Sequence, residues 1–96
     1  MEKKKLTSKE LMLISTELIR NFLNQFNVPN EIRAKLVRGI SFGYKKDRNA
    51  IVELYMPGET PSDAIILVTY CINKFSGEYQ EEILQKNLQL LSSISM

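Results

Sequence analysis

Histidine and tryptophan are absent from this sequence, and cysteine occurs once, at Cys71. Histidine is the side chain that changes charge near neutral pH unaided, and it is the commonest metal ligand. Without it, and with one thiol, the chain cannot assemble a Ser-His-Asp or Cys-His constellation. It cannot build a His- or Cys-based zinc site either. One cysteine cannot close an internal disulfide, so nothing points to an oxidising compartment. Long apolar runs are also missing. The longest, 64–68, is far short of a membrane span. The run 11–14 behind the basic start is too short and too flanked by acids for a signal peptide. Glycine is sparse too: Gly39, Gly43, Gly58 and Gly77 are scattered, and no phosphate-cradling loop exists. These absences argue against an enzyme, a cofactor and a metal, and the expected location is the cytoplasm.

What is present suits one small globular domain. The 96 residues are 44% hydrophobic and 25% charged, which is unlike a disordered chain. The net charge of +2 hides a polarity. Residues 1–48 carry eleven cations against five acids, and residues 49–96 carry two against six. The two signs either form opposed surfaces or interleave once the halves fold together.

Residues 1–6 read as a disordered basic tail, and 7–96 as the domain. Thr7 and Glu10 have the spacing of a capping box. The helix they open runs to about Phe26, with Leu11, Met12, Ile14, Leu18, Ile19, Phe22, Leu23 and Phe26 on its apolar half and Leu13 alone on the polar side. Pro29 opens a second helix over 29–38, with Ile32, Leu36 and Val37 inward and Gly39 as its terminator. Alternation predicts strands over 40–46 and 50–56 joined by Asp47-Arg48-Asn49, with Asn49 left-handed. Ile40, Phe42 and Tyr44 then share a face with Val52, Leu54 and Met56, and Gly43 marks a bulge or a close approach.

Thr60-Pro61-Ser62-Asp63 repeats the capping pattern and favours a helix over 61–75. Its body is β-branched enough to form a strand instead. Ser76-Gly77 breaks the chain, and a last helix is predicted over 78–94. The fold class is α+β: a small two-layer domain with helices packed on a β-hairpin, in the order ααββαα, or ααβββα if 64–75 is extended.

Cys71, in the most apolar stretch, reads as a small buried hydrophobe. Glu53, between Ile51 and Tyr55, falls on the outer face of the hairpin. A general base there lacks any second catalytic group. Glu59, Asp63, Glu78, Glu81 and Glu82 form the candidate partner-binding set, with the last three in the first turn of the last helix. Such an acidic surface fits a non-enzymatic module that binds a basic protein, as an immunity-type or antitoxin-like inhibitor does. A second reading takes Arg33, Lys35, Arg38, Lys45, Lys46 and Arg48 as a nucleic-acid surface, with Tyr44 to stack a base. Its pI of 8.7 is low for that role, and no RNA-binding motif is present. A third reading is a homodimeric structural or assembly factor.

Overall fold

The computed structural model describes residues 5–43 and 47–94, apart from the side chains at 61 and 90–94. Helix α1 (Ser8–Gln25) begins as the capping box requires. The Thr7 amide donates to Glu10 Oε1 at 3.0 Å, and the Glu10 amide donates to Thr7 Oγ1 at 3.1 Å. Leu11, Ser15, Leu18 and Phe22 are its buried stripe, at a spacing of four, three and four residues. Leu13 points to solvent, as expected. Asn27 then turns the chain with φ of 51°, a left-handed conformation that asparagine tolerates.

Helix α2 (Asn30–Arg33) is a single turn, much shorter than 29–38. Val37, placed inside that helix by the sequence reading, and Gly39, read as its terminator, instead belong to strand β1 (Val37–Ser41). Strand β2 (Asn49–Met56) follows. The β1–β2 connection is longer than three residues, and Asn49 is strand rather than left-handed. Gly43, beyond the end of β1, has positive φ. Ile40 lies opposite Val52, so the face shared by Ile40, Val52 and Leu54 is the anticipated one. Tyr44 lies outside the described residues.

The largest departure comes next. Thr60 and Asp63 do pair, Thr60 Oγ1 donating to Asp63 Oδ2 at 2.9 Å, but the backbone makes only a 3₁₀ turn over Pro61–Asp63. It then enters strand β3 (Ile65–Asn73), the extended alternative. The run expected to be one helix over 78–94 is strand β4 (Tyr79–Ile83) followed by helix α3 (Gln85–Ile94). The four strands form an antiparallel meander in the order β1-β2-β3-β4. The chain is an α+β domain, but with a four-stranded sheet in place of a hairpin.

Opposed residues share a face, so the register divides the sheet. Ile40, Val52, Leu54, Val68, Tyr70 and Ile72 face α1 and form the core with Leu11, Leu18 and Phe22. Tyr70 Oη reaches the Leu18 carbonyl of α1 at 3.4 Å. Between Leu54 and Tyr55 the β2–β3 register slips, leaving Leu67 as an extra residue of a β-bulge. The carbonyls there hold the start of the last helix. Leu67 O accepts from the Leu84 amide at 2.9 Å, and Ile66 O from Asn87 Nδ2 at 2.6 Å.

The buried polar residues knit the ends together. Lys74 Nζ donates to Phe42 O. The Lys74 carbonyl accepts from the Leu6 amide at 2.7 Å, and Leu6 packs on the core. Residues 1–4 lie outside the description.

Candidate binding groove

Among the described residues, the second face of the sheet is uncovered. Gly39 and Ser41 of β1, Ile51, Glu53 and Tyr55 of β2, Ile66, Thr69 and Cys71 of β3, and Gln80 and Glu82 of β4 lie on it, and none is buried. Ile51, Ile66, Tyr55 and Cys71 make much of this surface apolar, which singly exposed residues do not explain. Cys71 is half-buried here rather than enclosed in the core.

Part of this face is a groove of about 650 Å³. Its floor is Gly39, Ser41, Ile51, Glu53, Tyr55 and Ile66, and the 57–64 loop walls one end. The loop is tight because Gly58 lies against Asp63. A Cβ at Gly58 would collide with the Asp63 side chain and lie 2.8 Å from the Asp63 carbonyl oxygen. The Tyr55 ring lies over Gly39, its Cε1 3.3 Å from where a Cβ would stand. Among the described residues lining the groove, the charged ones are two carboxylates, Glu53 and Glu59. Neither has a hydrogen-bond or ion-pair partner among the described residues. Glu82 lies on the same face, separated from Glu53 by Thr69. That is two strand spacings, or about 10 Å.

The five acids singled out from sequence do not converge. Glu59 lines the groove, while Asp63 is engaged by Thr60 in the adjoining turn. Glu78 sits in the β3–β4 connection at the far end of the sheet. The nine residues of β3 separate it from Asp63 by about 25–30 Å. Glu78, Glu81 and Glu82 are not in a helix's first turn, because this segment pairs with β3. Alternation sends Glu82 to the uncovered face and Glu81 to the helical side, where it accepts from Tyr70 Oη at 2.8 Å. Burial, then this bond and the Glu81 charge, hold the Tyr70 phenol well above its ordinary pKa.

The basic set disperses likewise. Arg33 closes the end of α1: Nε donates to Val28 O at 2.6 Å, Nη2 to Leu23 O at 3.0 Å, and Nη1 to Asn24 Oδ1 at 3.3 Å. Arg38 is drawn under the sheet, Nη1 donating to Thr16 Oγ1 at 2.5 Å and Ser15 Oγ at 3.3 Å. Lys35 and Arg48 are exposed beyond opposite ends of β1. Lys45 and Lys46 lie outside the described residues.

Sequence reasoning placed Glu53 outward correctly and missed its surroundings. The available signal was that Ile51 and Tyr55, on the same outward face, are both apolar-bodied. Among the described residues no group of three or more Cys, Asp or Glu side chains is arranged to hold a metal ion. Among them, too, no helix is long and apolar enough to cross a membrane. Compared with protein-family models, curated proteins and solved structures, the chain matches none.

Proposed function

We propose that this chain is a non-enzymatic protein-binding module that holds a basic partner protein against the uncovered sheet face, as an immunity-type or antitoxin-like inhibitor would. The observation that carries this is the groove: a largely apolar floor and, among the described residues of its lining, two unpartnered carboxylates and no cation. Apolar surface supplies affinity, and charges of one sign at its rim speed association with a partner of the other sign. The acting acids are Glu53, Glu59 and Glu82, which revises the set of Glu59, Asp63, Glu78, Glu81 and Glu82. The nucleic-acid reading is the weaker, since Arg33 and Arg38 are engaged within the fold. A cytoplasmic location belongs to the proposal and rests on the unpaired Cys71.

The test is capture of a partner from nuclease-treated extract of the source cells, followed by association kinetics with the purified partner. The E53Q/E59Q/E82Q variant is expected to associate at least tenfold more slowly and with a shallower salt dependence. Equal rates and equal salt dependence would sink the acidic-groove reading. A partner population that vanishes with nuclease would transfer the function to the basic residues.

A further inference from the structure

The groove reaches one edge of the sheet, and among the described residues nothing pairs with that edge. β1 and β4 are the two edge strands. Exposed edges are templates for pairing, and charged side chains are the usual guard. β4 is guarded by Glu81 and Glu82. β1 is not, because its one charged side chain, Arg38, is turned back onto Thr16 and Ser15 of α1. Val37 remains exposed at the start of the strand. The β1 positions on the uncovered face that enter the groove are Gly39 and Ser41, the two smallest residues of the strand. A glycine inside a strand often marks the close approach of another backbone.

Resting on the function proposed above, we infer that the basic partner docks by adding an extended segment as a fifth strand along β1. A lysine or arginine of that segment lies opposite Gly39. Gly39 is itself directly opposite Glu53. The cation therefore starts two strand spacings from Glu53, about 10 Å between Cα atoms. An extended basic side chain and a glutamate bridge that gap. Gly39 adds no side chain of its own to that path, and the Tyr55 ring that lies over it offers a cation–π surface for the crossing cation. Main-chain bonds to β1 supply affinity and the groove supplies the selection for positive charge, which is how strand addition divides its work. The occupant is a basic strand rather than a second copy of this chain, since β1 itself offers Arg38 only on the helical side.

The probe is the peptide acetyl-Thr-Val-Thr-Lys-Thr-Val-Thr-amide, titrated to millimolar concentration into the full chain labelled with ¹⁵N. Amide signals of Val37–Ser41 are expected to shift and to exchange more slowly with solvent. Replacing the peptide lysine by glutamate should weaken binding about tenfold. The E53Q variant should lose that preference while retaining its own spectrum, which checks folding. Methylating alternate peptide amides, in one phase or the other, should abolish binding without touching the protein.

Shifts at Glu53, Tyr55 and Ile66 with silent β1 amides and no effect of methylation would overturn strand addition while leaving the groove reading standing. An absence of any shift would overturn both. Signals of β1 that move with protein concentration alone would show a second copy on this edge and overturn the basic-strand assignment.

Discussion

Tyr70 and Glu81 stand directly opposite one another on β3 and β4, and the Tyr70 hydroxyl donates to Glu81 Oε2 at 2.8 Å. The pair explains why an acid expected at a partner surface is instead used to satisfy a buried phenol. Tyr79 completes the arrangement, its ring edge-on to Tyr70 with centroids 5.9 Å apart.

The pair predicts an alkaline limit to stability. The folded-state pKa of Tyr70 is raised above its unfolded value of about 10 by burial and then by Glu81. A group raised on folding stabilises fully below its unfolded pKa and loses that contribution as pH rises beyond it. Melting temperature should therefore fall above about pH 10. The Tyr70→Phe variant should flatten this fall while costing about 1–2 kcal/mol at neutral pH. Absorbance at 295 nm should show Tyr70 ionising only as the protein unfolds. Titration of all four tyrosines before unfolding would contradict the buried bond.

Arg33 yields a second prediction, separating structure from surface. Three of its nitrogens bond the end of α1 and the turn after it. Arg33→Ala should destabilise by about 1–3 kcal/mol, the lower end reflecting its partial exposure. Lys35→Ala and Arg48→Ala should fall within about 0.5 kcal/mol of the parent. Denaturant melts of the three variants check this, and equal stabilities would mean that Arg33 does not anchor the helix end.

What the sequence made legible follows the range of each signal. The capping box at Thr7 and the stripe through Leu11, Leu18 and Phe22 are local, and both appear as read. The face shared by Ile40 and Val52 is also as read, because the loop differs from the expected one by an even number of residues and parity survives such a change. Failure came where distant pairing decides. The cap at Thr60 forms its side-chain bond but yields one turn, because Ile65, Ile66, Val68, Thr69 and Ile72 favour a strand. Gln80, Glu81 and Glu82 have good helix propensity, yet β3 leaves an edge that residues 79–83 fill. The groove was illegible because its wall and floor meet only once the meander is formed.

Gly58 supplies a third prediction, about the groove wall. A Cβ there meets the Asp63 side chain and backbone, so the loop must open to admit it. Gly58→Ala should lower stability by about 1–3 kcal/mol. It should also shift amide signals of the 57–64 loop and of Tyr55 and Ile66 while leaving α1 unchanged. Unchanged signals in the groove would mean that the loop does not shape it.

The last prediction turns on the difference between a residue kept for folding and one kept for binding. Glu53 is half-buried between Ile51 and Tyr55 and has no partner among the described residues. A carboxylate in that setting contributes nothing to the fold and is partly desolvated. Leucine there would extend the apolar surface against Thr69 and favour the strand. Glu53→Leu should therefore hold or raise stability, by up to about 1 kcal/mol, while slowing association with a basic partner. The two readouts must separate. A thermal melt with Glu53→Leu below the parent, together with unchanged association, would mean that Glu53 serves the sheet and that the groove's charge is incidental. A preserved or higher melting temperature with slower association is the signature of a side chain held against the interest of the fold, and it would single out Glu53 as the residue that reads the partner's charge.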